Sequence, residues 1–372
     1  MNEFLVPKPF EPQRLPIDSS IYINDYETLV RLTKANRYLG EYKGFLSTLI
    51  NPILLISPLI NQEAVLSSKL EGTHATLEDV LNYDAGIVVD IERDEMREVV
   101  NYRKALFYAM DVLGTFYEDD PQKLPLTGRI IKDMHRILLE GARGNSKRKG
   151  IYKVYQNYIG GKSSVSFTPV SPQLTDDYMQ NLEAYIHKED FDVLIQSAII
   201  HAQFEMIHPF EDGNGRIGRL LIPLFLYYRE ILPFPTLYMS MYFENDRALY
   251  LDKLSRVSQK NDWIGWIKYY LEGIIAQTEY SIQVAKEIYA LYEFMKNKVI
   301  NQLNSANSIK LLNFIFESPV FNAKQASKAS QLSIRSIYTL LNKMEKLGYI
   351  KSTDKKRNKI YYCPQLLEII QI

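Results

Sequence analysis

The sequence predicts a mainly α-helical protein with one β-hairpin and a small helix-and-strand domain at its C-terminal end. Three observations predict it. Apolar residues recur at three- and four-residue spacing over most of the chain, and one stretch around a Gly-Gly pair is rich in β-branched and aromatic residues. After the small-polar cluster NSANS at 304–308, the pattern changes to short helices followed by two strands around a basic tip. At 372 residues, 46% hydrophobic and 24% charged, the chain has ordinary globular usage and room for two or three domains.

The elements follow in order. Pro7, Pro9, Pro12 and Pro16 make residues 1–20 an extended arm, because proline lacks the backbone donor a helix needs. Leu29, Leu32, Ala35, Tyr38, Leu39 and Tyr42 give a helix from Tyr26 to Phe45. The next begins near Pro58, carries LINQEAVLSSKLEG and stops at Gly72 or Thr73. Thr76, with Asp79 three residues on, caps the helix opened by TLEDVL. Residues 94–117 form another amphipathic helix. Between Gly150 and Pro172, IYKVYQNYIGGKSSVSFTPVSP reads as a hairpin with the glycines in its loop. Helical spacing resumes over 174–186, 191–207, 215–228 and 262–303.

In the tail, the order helix, AKQASKAS, a turn at QLS, IRSIYTLLNKMEKLG and two strands is that of a winged helix-turn-helix. From Ser305 to Tyr361 it holds eleven Lys or Arg against Glu317, Glu345 and Asp354. Ser333 to Leu347 would be the recognition helix, with Arg335, Ser336 and Tyr338 near its start and Lys355, Lys356 and Arg357 at the wing tip. DNA is therefore a candidate partner of residues 304–372, with protein contacts as the rival use of the same fold. The expected division is 1–100, an arm and helices; 101–303, a helical core; and 304–372.

Lys plus Arg and Asp plus Glu both number 44, so no charge bias of the whole chain points to nucleic acid or membrane. The single Cys363 excludes an internal disulfide framework and fits a reducing compartment. The N-terminus has no apolar signal core, and PILLISPLI at 52–60 is too short to span a bilayer. A cytoplasmic protein without a membrane partner is expected.

The densest chemistry lies at residues 208–219, HPFEDGNGRIGR. Asp212 to Gly215 is too rich in glycine and asparagine to continue a helix, whereas RIGRLLIPLFLYY opens a new one. Bare amides at a helix N-terminus, with the positive end of the macrodipole, favour an anion. Arg216 and Arg219 project from the first turn, and guanidinium forks suit phosphate oxygens. Asp212 is a hard oxygen ligand of the kind that holds magnesium beside phosphates. His208 accepts a proton near neutral pH and is a candidate general base for a hydroxyl. Together these groups specify phosphoryl or nucleotidyl transfer to a hydroxyl. Phe210 is expected to point into the core. His201 and His208, seven apart and without Cys or HExxH, lack usual zinc spacing; His74, His135, His187 and His201 read as structural or surface.

The segment resembles without departure the signature of the Fic family, HPFx(D/E)GNGRxxR. The resemblance implies a helical core with a β-hairpin flap and transfer of AMP from ATP with Mg2+ to a Ser, Thr or Tyr hydroxyl of a protein, releasing pyrophosphate. By position His208 would be the base and Asp212 the Mg2+ ligand. Asn214 and the amides from Gly213 to Gly215 would hold the α-phosphate, and Arg216 and Arg219 the β and γ phosphates, with Ile217 and Gly218 completing the nucleotide-binding run. SSKLEG, Ser67 to Gly72, is similar to the family's inhibitory pattern (S/T)xxxE(G/N), in which Glu71 would pair with Arg219 and deny it to the γ-phosphate. QNYIGG resembles the flap, so Tyr158, Ile159, Gly160 and Gly161 would align an extended target by β-augmentation, although many relatives carry Trp where Tyr158 stands. Tyr242 and Tyr250 are aromatic candidates for a wall against adenine, and Tyr250 is nominated. The target protein is unidentified, with the chain itself among the possibilities, and the resemblance implies a homodimer. The alternative is a DNA-binding transcriptional regulator that uses the Fic-like half as a nucleotide sensor.

Overall fold

The computed structural model describes residues 8–49, 51–115, 118, 120–142, 147–161, 164–303, 306–353 and 359–370. The tip of the hairpin at 162–163, the linker residues 304–305 and the wing-tip residues Lys355, Lys356 and Arg357 lie outside them. The described chain is mainly helical. Its elements are α1 (Ser20–Ile23), α2 (Tyr26–Ser47), α3 (Ile53–Lys69), α4 (Leu77–Asp84), α5 (Arg93–Val112), α6 (Gly128–Leu138), β1 (Ile159–Gly161), β2 (Ser164–Phe167), α7 (Pro172–Ile186), α8 (Val193–Ile207) and α9 (Asn214–Tyr228). Then follow α10 (Ser240–Asn245), α11 (Arg247–Lys260), α12 (Trp263–Leu303), α13 (Ala306–Glu317), β3 (Val320–Asn322), α14 (Ala323–Ser330), α15 (Ile334–Lys346), β4 (Lys351–Ser352), β5 (Ile360–Tyr362) and α16 (Pro364–Ile370).

Two compact units emerge. The first comprises the described residues of Met1–Ser47, Leu66–Thr73 and Arg93–Glu279. Its centre is α8, buried nearly all round, whose Leu194, Ile195, Ala198, Ile199, Ala202, Phe204 and Ile207 lie among α7, α9 and α11. A helix without an exposed face belongs in the interior of a larger core. α5 packs on α6 and α9. The N-terminal arm is extended as its prolines require, buries Leu15 and Ile17, and donates from Phe10 N to Thr168 O at 2.9 Å.

α3 begins five residues before the expected start, with Pro58 inside it. Proline there removes one internal hydrogen bond but leaves the apolar register intact. At its other end Gly72 takes φ 90°, and Thr73 N donates to Ser68 O at 3.2 Å, a left-handed helix stop. β1 and β2 pair antiparallel, with Ile159 opposite Phe167 and Gly161 opposite Ser164. Gly160 and Gly161 therefore lie within a strand and not in the loop. Gly160 at φ 139° accommodates the register shift beside Ile159.

The second unit comprises the described residues of Thr48–Val65, His74–Glu92 and Tyr280–Ile372. Thr76 and Asp79 form the capping box on α4. β3, β5 and β4 form a three-stranded antiparallel sheet in that spatial order. α14 and α15 meet at a turn where Gln331 takes φ 55°. Residues 74–92 belong to this unit because α4 packs on β3, with Asn322 Nδ2 donating to Ala85 O at 3.0 Å. No described helix is long and apolar enough to cross a membrane.

Candidate nucleotide and transfer site

The 208–219 segment joins α8 to α9, and its shape follows from two left-handed residues, two hydrogen bonds within the loop and the support of His135. His208 closes α8 in the left-handed region, at φ 49° and ψ 60°. Gly213, at φ 77°, is the N-cap of α9 and offers no side-chain cap, so the first amides of that helix stay available to an anion. Asn214 Oδ1 accepts from Phe210 N, and its Nδ2 donates to Phe210 O, both at 2.8 Å. The Asn214 side chain expected on phosphate is thus engaged within the loop, and the residue's backbone amide remains. Phe210 is buried as expected and stacks on His135, with ring centroids 3.8 Å apart. His135 Nδ1 accepts from Gly150 N at 2.9 Å, so Nε2 carries the proton and donates to Asp212 O at 2.9 Å.

Lys153, which sequence reasoning passed over, braces the loop from below. Its buried Nζ donates to Ile207 O at 3.0 Å, His208 O at 2.9 Å and Asn157 Oδ1 at 2.9 Å. Asn157 Nδ2 donates to His208 O and Phe210 O, so the base of the hairpin and the loop form one hydrogen-bonded piece. Burial pushes the Lys153 ammonium down to about 7, while the helix-end carbonyls it serves favour its charge. In Lys153→Met these carbonyls lose a charged donor, and Tm measured by scanning calorimetry is expected to fall by roughly 5 to 10 °C. A fall below about 2 °C would show that the lysine does not hold the turn.

The two signature arginines have different surroundings. Arg219 keeps 3% of its side-chain surface. Its Nε donates to Ser67 Oγ at 2.8 Å, and its Nη2 donates to Ser67 O at 2.8 Å and Glu71 Oε1 at 2.7 Å. Residues 148 positions apart in sequence are thereby joined. The guanidinium also satisfies a last-turn carbonyl of α3, where a cation is favoured. Glu71 sits in the turn just after α3 and retains 36% of its side-chain surface. Burial would raise its carboxyl, but the charge and hydrogen bond of Arg219, with the charge of Arg216, hold it below the usual range. Gly215 packs against this pair: a Cβ there would overlap Glu71 Oε1 and fall 2.8 Å from Arg219 Nη1.

Arg216, by contrast, is engaged from behind the loop. Its Nη1 lies 2.9 Å from Glu98 Oε2 of α5, both side chains almost wholly buried, and Nη2 lies 3.6 Å from Asp212 Oδ1. Thr73 Oγ1 donates to the same Glu98 oxygen at 3.1 Å. Glu98 was not legible beforehand, because a glutamate on an amphipathic helix carries no mark of its partner. Ile217 is wholly buried in the core.

A cavity of about 660 Å³ opens beside these groups, within the range of small-molecule sites. His208, Glu205, Gly215, Arg219 and Glu71 line its polar side. Ile159 and Phe167 of the hairpin and Leu251 and Leu254 of α11 line its apolar side, with Tyr158, half exposed, at the rim. Tyr250 reaches the cavity only from an aromatic core. Its ring stacks on Phe243 at 4.3 Å, and its hydroxyl donates to His201 Nε2 at 3.0 Å, since His201 Nδ1 donates to Gly218 O. Tyr242 packs against Tyr269 at 5.1 Å. His208 is neutral at pH 7, because burial and the Lys153 charge lower it to about 4. Among the described residues no three His, Cys, Asp or Glu side chains form a metal cage. Asp212, 41% exposed at the helix mouth, is a single carboxylate, the donor set suited to a magnesium ion otherwise held by phosphates and water.

Comparison with known proteins agrees with this geometry. Residues 29–111 match the model of the Fic/DOC family N-terminal region, and residues 125–226 match that of the Fic/DOC family. A protein adenylyltransferase of Caenorhabditis elegans is 33% identical over 99 residues, 26% of this chain and 18% of that one. A probable protein adenylyltransferase of Aquifex aeolicus is 36% identical over 81 residues, 22% of this chain and 24% of the other. The matches thus span about a fifth of the length of these curated relatives. Among solved structures, a Fic family protein of Desulfovibrio desulfuricans G20 aligns with TM-score 0.62 and 18% identity over 95% of this chain and 98% of that one. Caenorhabditis elegans Fic-1 aligns with TM-score 0.54 and 21% identity over 69% and 74%. These likenesses establish a Fic fold.

Proposed function

We propose that this member of the Fic/DOC family is a protein adenylyltransferase. The observation that carries the reading is that His208, Gly215 and Arg219 line one cavity at an uncapped helix N-terminus. In the reaction, an oxygen of a Ser, Thr or Tyr hydroxyl attacks the α-phosphorus of ATP. An O–P bond forms, the bond from the α-phosphorus to the bridging oxygen breaks, pyrophosphate leaves, and the hydroxyl proton passes to His208 Nε2. Amides of Asn214 and Gly215, joined by that of Gly213 once it leaves Asp212 Oδ1, hold the α-phosphate and Arg219 the γ-phosphate. Arg216, anchored by Glu98, orients the loop and Asp212. Asp212 would hold Mg2+, which when bound neutralises phosphate charge. Ile217 and Gly218 serve by packing.

Ser67 and Glu71 form the brake. While they occupy Arg219, a γ-phosphate meets a carboxylate where it needs a cation. β1, with Tyr158 just before it, presents residues 158–161 to an extended segment of an unidentified target protein, and the hydroxyl is aligned by main-chain bonds. Ile159, Phe167, Leu251 and Leu254, with the edge of Tyr250, form the wall for the base. Residues 304–372 act as a winged helix that meets a partner through α15, on which Arg335 and Tyr338 are exposed. The protein works in the cytoplasm as a homodimer.

The test uses the Glu71→Gly chain with a lysate. Label is expected to enter protein from α-labelled ATP and not from γ-labelled ATP, with an added mass equal to AMP minus water. Transfer of γ-label, or another added mass, would assign a different donor chemistry. No transfer, with steeply salt-dependent duplex DNA binding lost on deleting 304–372, would favour the transcriptional regulator instead.

A further inference from the structure

Two buried polar atoms beside the proposed base have no hydrogen-bond partner of good geometry: Nδ1 of His208 and Oε1 of Glu205. Such atoms are uncommon, and each calls for a reason. The residues stand three apart at the end of α8, so they share a face, and Glu205 Oε2 lies 3.9 Å from His208 Nδ1. A small side-chain rotation would bring these groups into hydrogen-bond range, and catalytic hydrogen bonds are often long before substrate binds.

Room has been made for this carboxyl. A Cβ at Gly218 would overlap Glu205 Oε1 and fall 3.1 Å from Phe204 Cδ1. The third glycine of the 208–219 segment is thus explained by Glu205 rather than by phosphate. Both Glu205 and His208 line the cavity.

We propose that Glu205 is the positioning residue of His208: its carboxylate accepts the Nδ1 proton, leaving the lone pair on Nε2 to receive the proton of the target hydroxyl. This rests on the reading of His208 as base. The arrangement is that of a base oriented by a third group. The Glu205 main-chain carbonyl is the rival acceptor for Nδ1. The charges around Glu205 join it to the brake. Burial raises its carboxyl to about 7, with Arg219 of α9 opposing and Glu71 adding to the rise, and Tyr250 of α11 faces it as well. Departure of Glu71 removes a like charge and favours ionised Glu205. An anion behind Nδ1 then raises the basicity of an imidazole that burial otherwise depresses.

The test reads the tautomer directly from ring 15N shifts of 15N-histidine-labelled Glu71→Gly chain, with the His208 signals identified by their loss in His208→Ala. The proton is expected on Nδ1. In Glu205→Met on the same background Nδ1 loses its side-chain acceptor. The Nε2–H form should then dominate, and kcat should fall by about 10- to 100-fold with KM for ATP within about twofold. A proton on Nε2 in the chain that retains Glu205 overturns the proposal without any variant at 205. Unchanged shifts and kcat in Glu205→Met give the task to the main-chain carbonyl and also overturn it. A Glu71→Gly chain that transfers no label counts against the adenylyltransferase reading, whereas the tautomer is read without turnover.

Discussion

Replacing Glu71 by glycine is expected to raise the rate of label transfer from α-labelled ATP by about 10- to 100-fold over the parent chain. The magnitude follows from what a γ-phosphate must displace. Arg219 is nearly inaccessible, and Glu71 holds one of its donors at 2.7 Å. A hydrogen bond between charged groups contributes about 1.5–3 kcal/mol, and removing that competitor lowers the barrier to productive nucleotide binding by a similar amount. Glycine suits the site because Glu71 lies in a turn beyond α3, so helix propensity is not at stake. Arg219 keeps both bonds to Ser67. The guanidinium stays in place for phosphate, and the loss of fold stability should not exceed about 3 kcal/mol. Initial rates at saturating ATP, with Tm measured beside them, check both halves. Equal rates in the two chains would leave the Glu71–Arg219 pair a structural contact and remove the brake.

The sequence exposed what depends on local pattern and hid what depends on long-range pairing. The turn at Gly213, the helix opening at Asn214 and the capping box at Thr76 are local chemistry, and each follows from residues within a few positions. The site's polar supports come from afar. Glu98 reaches Arg216 across 118 positions and Lys153 reaches Ile207 across 54, and neither residue type announces its partner. Asn214 shows the converse limit. A polar side chain in a phosphate-binding loop invites a ligand role, yet its oxygen and one N–H close the loop on Phe210. The glycines at 160 and 161 misled for a related reason: a Gly pair marks a turn in most hairpins, and only the pairing of Gly160 with Val165 reveals a bulged strand. Glu205 alone left a usable sign, standing three residues before His208 on one helical face.

Removing the imidazole should have the opposite effect to removing the brake. In the Glu71→Gly background, His208→Ala is expected to lower label transfer by about 10²- to 10⁴-fold, the usual contribution of a general base, while ATP affinity changes by less than about threefold. Binding should survive because the groups proposed to hold phosphate are fixed independently of the ring. Gly213 sets the helix N-terminus, Arg219 is held by Ser67, and the backbone turn at 208 is held through its carbonyl by Lys153 and Asn157. Alanine at 208 inherits a left-handed φ of 49° that histidine already endures, so the turn is no more strained than before. Isothermal titration with a non-hydrolysable ATP analogue separates the two quantities. If transfer and affinity fell together, His208 would be shaping the nucleotide site rather than taking a proton. If transfer were unchanged, the hydroxyl would be activated by another group and the assignment of the base would be lost.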